Sequence, residues 1–450
     1  MKPILIIVFA LAAFTFQGCT GFVDDVPVVS FHNGNALLPK ITFKTADSAQ
    51  VYIEYWPTNQ PGSVQTSTLS TGKTHEIILL NVTEETDYNY AVSAKGESDR
   101  TDAFSFTTGK VPARVCRIQK DLIDTTQFTG YILVRKTTSP GADAMFNNRG
   151  ELVWYHQYDT AVRRGFNWTG KQSVLSIYDS AEIMEVDLYG NKMRHLDLEQ
   201  LNIPNKIHHD ILFNEKNQIV TLTLDSVRMD LRKLGGQKNQ AVRADGILVL
   251  SGDGQKVWEW NLLQKTNPVS LRTGKFDFKH SWGHANSLTI DADGNYVVSF
   301  KDFDQIWKIN SVDGSIMWKL GKGGDFDMNP DDYFISQHSV HFNKDRELMI
   351  YDNGNQATRP NSRVLSFKLD EKAMKAETRI KTVLPLKLSA YRMSSAAMID
   401  SDKYLVCTTK PRGPIAVVNG KGDVLWQVTV DSRSYRAYYL EDPFGEKQKK

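Results

Sequence analysis

Five polar residues with possible chemistry lie at the starts of strand hairpins that are far apart along the chain. They are His208, His209, His284, Asn286 and His338. When three hairpins are aligned on their turns at Asn217, Gly294 and Arg346, one of these residues stands eight positions before each turn. His284 precedes Asn286 by two residues, and alternate residues of a strand share a face. Because the chain has only 10 histidines in 450 residues, this register predicts a shared imidazole site.

Clustered imidazoles can act as nucleophiles, as proton donors and acceptors, or as metal ligands. Three histidines can ligate zinc, so a metal-dependent hydrolase is one interpretation. The plainest interpretation keeps each histidine as a separate hydrogen-bonded residue at a sheet edge. A shared site requires a fold that brings remote strand starts together.

Tight turns that recur after about residue 130 predict such a fold. Most combine an acidic residue or Asn with Gly and are followed by an apolar residue and Trp, as in Asn148–Trp154 and Asp253–Trp258. They centre on Gly150, Gly190, Gly254, Gly314, Asp370 and Gly422. Separations of 40 to 64 positions, with a second hairpin between successive turns, are typical of a β-propeller. The sequence therefore predicts an all-β protein with a six-bladed β-propeller over residues 115–440, in which these turns and Trp residues serve packing alone.

A different pattern precedes the propeller. Apolar and polar residues alternate over 40–44, 51–55, 76–80, 88–93 and 104–107, which is typical of half-buried strands. The segment from Leu80 to Val92 resembles the corner and penultimate strand of fibronectin type III modules, where Leu, Thr and Tyr recur at this spacing. The resemblance implies an Ig/fibronectin III-like β-sandwich over residues 25–110 and says little about function.

Composition and the first residues bear on partners and compartment. With Lys+Arg 54 and Asp+Glu 52, the net charge is +2, which argues against a nucleic-acid partner. Lys2 followed by an apolar run from Ile4 to Phe16 predicts a signal peptide over residues 1–18. The run ends at Gly18-Cys19, which resembles a bacterial lipobox. The resemblance implies lipidation of Cys19 and anchoring to a membrane of the bacterial cell envelope, on the periplasmic or the surface side; simple secretion is the alternative.

Two further features of the sequence concern its cysteines and its C-terminal residues. Cys116 and Cys407 either form a disulfide or stay unpaired and buried, because sequence cannot show whether their Cα atoms lie within about 7 Å. Residues 441–450 are predicted to be a polar C-terminal tail.

Several segments resemble those of bacterial arylsulfate sulfotransferases, in the same order along the chain. They are His208-His209-Asp210, Trp282-Gly283-His284-Ala285-Asn286-Ser287, Ile306–Ile309, Trp318–Gly321, Gln337-His338-Ser339, Asp352-Asn353-Gly354 and Ser362-Arg363. Members of this family are periplasmic or anchored six-bladed propellers with a small β-sandwich in front. The resemblance implies transfer of a sulfuryl group from a phenolic sulfate ester to an acceptor phenol, without a nucleotide donor and without a cofactor.

The resemblance also implies roles for the residues. His338 would be the nucleophile that becomes transiently sulfurylated, which implies ping-pong kinetics. His284 and one of His208 or His209 would contact the sulfuryl oxygens, and Asn286 would assist in substrate binding. No metal is implied. A non-catalytic propeller that binds a ligand or partner at the cell envelope is the alternative from another class.

One position departs from the family pattern. An Arg usually follows the His-x-Asn segment in a Ser-x-Arg strand, whereas this strand reads Ser299-Phe300-Lys301. Lys keeps the positive charge but loses the planar fork that binds two oxygens at once. Either Lys301 binds substrate with weaker geometry, or Arg363 or Arg359 supplies the guanidinium. A structural pairing of these arginines with Asp352 is the alternative.

Overall fold

A computed structural model of the protein describes residues 22–96, 99–266 and 281–445. The chain divides into two compact units. Unit 1 contains residues 22–80 and Glu85–Gly109, and unit 2 contains Asn81–Glu84 and the described residues from 110 to 445. The predicted signal peptide, Cys19 and the last five residues of the predicted tail lie outside the described residues. Within the described ranges, no helix is long and apolar enough to cross a bilayer.

Unit 1 is built of strands around one long central strand. The described strands are β1 (Val28–Phe31), β2 (Pro39–Pro57), β3 (Gln65–Thr66), β4 (Ser70–Ile78), β5 (Asp87–Ala94) and β6 (Phe104–Thr107). Strand β2 pairs with β1, β3, β4 and β5, and β5 also pairs with β6. The runs predicted as two strands at 40–44 and 51–55 both belong to β2, because its pairing with β4 shifts register between Lys44 and Ala49 without ending the strand. The alternation is real on both sides of the shift, since Ile41, Phe43, Val51 and Ile53 are buried.

Unit 2 is also built of strands. In chain order these are β7 (Ile118–Leu122), β8 (Tyr131–Lys136), β9 (Ala142–Asn147), β10 (Leu152–Gln157), β11 (Phe166–Trp168), β12 (Ser173–Asp179), β13 (Glu182–Asp187), β14 (Lys192–Asp197), β15 (Lys206–Phe213), β16 (Ile219–Met229), β17 (Gln240–Leu250), β18 (Lys256–Asn261), β19 (Ser281–Trp282), β20 (Ala285–Ile290), β21 (Tyr296–Phe300), β22 (Gln305–Ile309), β23 (Ile316–Gly321), β24 (His338–Phe342), β25 (Leu348–Asp352), β26 (Arg363–Asp370), β27 (Lys375–Val383), β28 (Ser395–Met398), β29 (Lys403–Cys407), β30 (Pro414–Asn419), β31 (Val424–Val430) and β32 (Ser434–Leu440). The predicted all-β class is therefore confirmed for the described residues.

Helical turns are few and short among the described residues. They are one α-helix, α1 (Leu262–Lys265), and 3-10 turns at His32–Gly34, Arg232–Leu234, Lys301–Phe303, Pro330–Asp332 and Leu386–Leu388.

The strands of unit 2 form sheets of four or five strands, taken mostly in chain order. These sheets are β11 to β14, β15 to β18 with β19, β20 to β23, β24 to β27, β28 to β31 with β7, and β32 with β8 to β10. In the last of these, the C-terminal strand β32 pairs with β8, so residues about 300 positions apart in sequence complete one sheet. The first strands of three of these sheets carry the predicted histidines, which lie at or near the starts of β15, β20 and β24.

The repeated turns have the packing role that was predicted from the sequence. Each lies between the third and fourth strands of one of these sheets. Trp154 donates from its indole N–H to the main-chain oxygen of Leu188, 2.7 Å away, in the corresponding turn of the next sheet. Trp426 makes the same contact to Asn148 at 2.8 Å. In the sheet of β15 to β18 this role falls to Trp260 rather than Trp258, at 3.0 Å from the oxygen of Gly314. Buried indole groups thus join neighbouring sheets.

The two cysteines and the start of the predicted tail are packed inside unit 2. Cys116 and Cys407 are both free and buried, so the structure shows the unpaired alternative. Burial raises the pKa of each thiol to about 12. Phe444 is buried and packs edge-on against Tyr131, with 5.1 Å between ring centres, so this part of the tail belongs to the folded unit.

Candidate active site

The first strands of four sheets share an irregularity near their starts. The register with the neighbouring strand shifts between His208 and Ile211 in β15, Ala285 and Ser287 in β20, His338 and His341 in β24, and Ser434 and Ala437 in β32. Bulges of this kind break the alternation of a strand and re-aim its side chains, and they are frequent next to active sites. The bulges explain how ordinary strands turn several polar side chains toward one place.

The structure brings the four predicted histidines together and adds Tyr435 to them. The ring centres lie 4.8 Å apart for His208 and His209, and 5.5 Å apart for His209 and His284. Tyr435 joins the group at 6.2 Å from His209 and 5.0 Å from His338. The shared imidazole site predicted from the register is therefore present as a cluster of rings from β15, β24, β32 and the residue just before β20.

Left-handed backbone holds two of these imidazoles in place. His209 has φ = 58° and His284 has φ = 50°, a conformation that costs a non-glycine residue about 1 to 2 kcal/mol. Gly283 beside His284 has φ = 93°, and a Cβ there would come within 2.8 Å of Leu262 and 2.9 Å of Phe300. Such strain persists only where the surrounding packing imposes it, so the rings are held ready by the fold.

His338 is buried and neutral. Its side chain and backbone are together only 2% exposed. Its Nε2 lies 2.9 Å from the hydroxyl oxygen of Tyr435, and this hydroxyl donates to the main-chain oxygen of Asn286 at 3.2 Å. Its Nδ1 is buried and has no hydrogen-bond partner among the described residues. Burial first, and the positive charge of Arg436 second, hold the pKa of His338 well below 6.5. A neutral imidazole is the form in which histidine is nucleophilic.

His208 and His209 form a pair with different surroundings. Their Nδ1 atoms lie 2.6 Å apart, so one nitrogen donates and the other accepts. His208 Nε2 lies 2.9 Å from the main-chain oxygen of Thr223 and 3.3 Å from the buried carboxylate of Asp245. Burial, reinforced by the neighbouring His208, holds the pKa of His209 well below its usual range. Since only His209 contacts the rings of both His284 and Tyr435, it is the member of the pair at the centre of the cluster.

Lys301 carries positive charge to the same cluster. Its side chain is 28% exposed, and its ammonium nitrogen lies 3.2 Å from Asp302 Oδ1. Burial lowers the pKa of His284; the charge of Asp302 opposes this shift and that of Lys301 reinforces it. The charge of Lys301 also helps to lower the pKa of His338. The residue that stands in place of the family arginine is therefore close enough to act electrostatically on both imidazoles.

Asn286, which was predicted to assist in substrate binding, forms hydrogen bonds within the protein. Its side chain is fully buried. The amide nitrogen donates to the main-chain oxygen of Gln337 at 2.8 Å, and the amide oxygen accepts from Ser287 Oγ at 3.3 Å. Because both ends of the amide are bonded to protein, Asn286 fixes the chain next to His338 and is a positioning residue.

Arg363, another predicted substrate ligand, also bonds within the protein. Its Nε lies 2.8 Å from Asp352 Oδ2, and its two terminal nitrogens donate to the main-chain oxygens of Asp331 and Tyr333 at 2.7 and 2.8 Å. Arg359 binds the other oxygen of Asp352 at 2.6 Å. Both arginines therefore pair with Asp352 in the structure.

Sequence reasoning missed three residues at the site. Tyr435 and Arg436 lie in β32, which has no hairpin turn of its own to align because its partner β8 comes from the other end of unit 2. Arg164 lies in the loop before β11, and its guanidinium carbon is 5.9 Å from the centre of the Tyr435 ring. The signal that could have found Tyr435 and Arg436 is the predicted propeller itself, because a ring of sheets needs its last strand to complete the first sheet.

A buried ion pair supports the site from within unit 2. Arg436 binds both oxygens of Asp210, at 2.9 and 3.0 Å, and its Nη1 also lies 3.0 Å from the hydroxyl of Tyr438. Asp210 accepts a further bond from the main-chain nitrogen of Leu288 at 3.0 Å. The pair ties β32, β15 and β20 together, and two-point contact of this kind is the strong form of an ion pair.

Two cavities border the cluster. One, of about 910 Å³, is lined by residues that include His208, His209, Arg164 and Tyr178. The other, of about 520 Å³, is lined by residues that include Tyr435 and again Arg164. Both volumes suit a small aromatic ligand. In the part of the chain that the structure describes, no group of three or more His, Cys, Asp or Glu residues could hold a metal ion.

Comparison with known proteins gives distant structural similarity and one clear family. Similar solved structures include a protein of unknown function from Bacteroides caccae, at 10% identity and a TM-score of 0.44, covering 69% of this chain and 98% of that one. Virginiamycin B lyase from Staphylococcus aureus has 12% identity and a TM-score of 0.34, with 69% and 73% covered. BamB from Moraxella catarrhalis has 12% identity and a TM-score of 0.34, with 78% and 88% covered.

No curated protein sequence matches the chain. Residues 115–411, about two thirds of the chain, match the profile described as Arylsulfotransferase (ASST). This match spans β15, β20 and β24 and with them all four clustered histidines. The protein therefore belongs to the arylsulfotransferase family.

Proposed function

We propose that the protein is an aryl sulfotransferase that moves a sulfuryl group from a phenolic sulfate ester to a phenol, with His338 as the transient carrier. The observation that carries the proposal is the state of His338. It is a neutral imidazole with one nitrogen bonded to Tyr435 and the other unbonded among the described residues, and cationic side chains surround it. A neutral nucleophile next to positive charge suits attack on an anionic ester, because the cations bind the anion while the imidazole keeps its lone pair.

In the first half-reaction, a nitrogen of His338 attacks the sulfur of the donor. The nitrogen–sulfur bond forms as the bond from sulfur to the phenolic oxygen breaks, and the electron pair leaves with the phenolate. A phenol has a pKa of about 10, so its phenolate leaves without full protonation and takes a proton from water afterwards. The charges of Lys301 and Arg164 act on His338, so they also stabilise the oxygen charge that develops beside it.

In the second half-reaction, an acceptor phenol attacks the same sulfur. Its oxygen–sulfur bond forms, the nitrogen–sulfur bond breaks, and the imidazole regains its lone pair. His209 and His284 have lowered pKa values and are neutral, so either can accept the phenolic proton as the oxygen attacks. Tyr435 holds the His338 ring through Nε2, which fixes the tautomer in both steps. The two steps predict ping-pong kinetics.

The proposal is tested with 4-nitrophenyl sulfate, whose phenolate is coloured. Wild-type protein should release nitrophenolate faster when a second phenol is added, and the product should be the sulfate ester of that phenol. A His338→Ala variant should lose this activity, and mass spectrometry of wild-type protein treated with donor alone should show a sulfuryl group on His338. Equal rates for wild type and His338→Ala would reject the proposal.

We also propose that unit 2 is a six-bladed propeller and that unit 1 is a fibronectin III-like sandwich. Sheets of four or five strands, the closure of β32 on β8 and the family match over 115–411 support the propeller. The strands of unit 1 and their buried alternate residues support the sandwich.

Export and anchoring through Cys19 remain a proposal that rests on the lipobox resemblance. A Cys19→Ala variant should leave the membrane fraction of the producing bacterium, whereas the wild-type protein should stay in it. If the variant remains bound to membranes, the anchor at Cys19 is wrong.

A further inference from the structure

A cavity next to the histidines has four cationic side chains in its lining. We call it the arginine pocket and define it by Lys136, Arg164, Arg412, Arg433 and Tyr435, which line the cavity of about 520 Å³. Asp431 is the one acidic residue among the described residues that line it, and its Oδ1 already accepts from the main-chain nitrogen of Arg117 at 3.0 Å. Four cationic side chains thus face one carboxylate.

The protein does not neutralise these arginines. Among the described residues, Arg412 and Arg433 make no hydrogen bond or ion pair, and Arg164 lies over the Tyr435 ring without a carboxylate partner. Arg163, which lines the neighbouring cavity, is different because it binds Asp179 at 2.8 Å. Guanidinium groups left without partners around a cavity are suited to bind a carboxylate, sulfate or phosphate.

The arginine pocket reaches the proposed nucleophile through one shared side chain. Tyr435 lines the pocket, and its hydroxyl is the group bonded to His338 Nε2. Met393 and Pro411 add apolar surface to the same cavity. The same lining therefore offers apolar side chains to an aromatic ring and guanidinium groups to an anionic substituent of that ring.

We propose that the arginine pocket binds a second anionic group of the substrate. The enzyme would then prefer phenols and aryl sulfates that carry a carboxylate, sulfate or phosphate in addition to the reacting oxygen. This inference rests on the proposed function, since it specifies the substrate class of the same site. Donor and acceptor occupy the same site in turn, one before and one after His338 is sulfurylated, so one pocket selects both.

The test compares acceptors at a fixed concentration of 4-nitrophenyl sulfate, a donor without a second anionic group. Wild-type protein should use 4-hydroxyphenylacetate with a kcat/KM about tenfold or more above that for tyramine, its cationic counterpart. An Arg412→Ala/Arg433→Ala double variant should lose most of this preference and keep its kcat/KM for unsubstituted phenol within about twofold. Arg163→Ala, which removes an arginine that already has a carboxylate partner, is the matched control and should keep the preference.

A binding measurement separates this inference from the proposed function. Calorimetry should show 4-hydroxyphenylacetate binding to wild-type protein, and binding to the double variant should be at least about tenfold weaker, whether or not turnover occurs. If wild-type protein binds 4-hydroxyphenylacetate but releases no nitrophenolate, the proposed function alone is rejected. No binding to wild type, or equal binding to wild type and the double variant, would overturn the arginine pocket. Circular dichroism of each variant establishes that it is folded.

Discussion

Removal of the Tyr435 hydroxyl tests how the site prepares its nucleophile. In a Tyr435→Phe variant the ring that contacts His338, His209 and Arg164 stays, while the bonds of 2.9 Å to His338 Nε2 and 3.2 Å to the oxygen of Asn286 are lost. His338 then has no partner among the described residues on either nitrogen, since Nδ1 has none already. A buried polar atom left without a partner costs about 1 to 3 kcal/mol. If most of that cost falls on the transition state, the rate falls by about 10- to 100-fold.

The assay is the burst of nitrophenolate released from 4-nitrophenyl sulfate before any acceptor is added. We expect the burst rate constant to fall by about 10- to 100-fold and KM for the donor to change by less than about threefold, because the hydroxyl orients the nucleophile and does not bind the ester. Burial raises the pKa of Tyr435 far above neutrality, so the hydroxyl itself should add no step to the pH profile. Tyr439→Phe is the matched control. Tyr439 lies on the same strand as Tyr435, and its hydroxyl donates to the main-chain oxygen of Thr129. A burst rate for Tyr435→Phe equal to that of Tyr439→Phe would refute the positioning role.

Four other predictions follow from contacts in the structure. Burial holds the pKa of His338 below 6.5, so kcat/KM should stay level as pH falls through 6.5 and decline only in more acidic solution; an acid limb at or above 6.5 would contradict this. As pH falls, this histidine binds a proton in the unfolded chain before it does so in the folded protein. Its contribution to the free energy of unfolding, measured in urea, should therefore be fully present above pH 6.5 and decrease below it. Lys301→Ala should lower kcat/KM by about 10-fold or more, and Lys301→Arg should keep or raise it; equal loss in both would show that charge is not what matters. Trp154→Phe should cost about 1 kcal/mol of unfolding free energy, for the lost bond to Leu188, and Trp154→Ala about 3 to 5 kcal/mol; thermal and urea unfolding would decide.

Local sequence patterns predicted the framework because they depend on neighbouring residues. Alternation between apolar and polar residues indicated the strands of unit 1, although it could not show that 40–44 and 51–55 form a single strand across a register shift. Turn residues such as those around Gly254 and Gly314 indicated where third and fourth strands meet. Counting from turns worked for His209 and His338, since in each case the turn joins the strand to its own partner.

The same method missed the residues of β32, which has no hairpin turn from which to count. Tyr435 lies in β32, whose pairing partner β8 is remote in the sequence. The position of Tyr435 beside His338 therefore depends on the pairing of β32 with β8. Residue type alone left Arg363 open between substrate binding and pairing with Asp352, and the structure shows the pairing.

The sequence by itself determined the all-β character, the repeat of tight turns and the common register of the histidines. It also showed that Lys301 stands where the family usually has Arg. Each of these depends on residue type and short spacing, which a chain carries before it folds. Only the tertiary structure decided which polar groups are bonded within the protein and which are left free to act. Asn286 bonds to the protein at both ends of its amide, whereas His338 keeps a nitrogen without a partner among the described residues. The reason is physical: a buried donor or acceptor finds its partner in three dimensions, and the partner can come from any point along the chain.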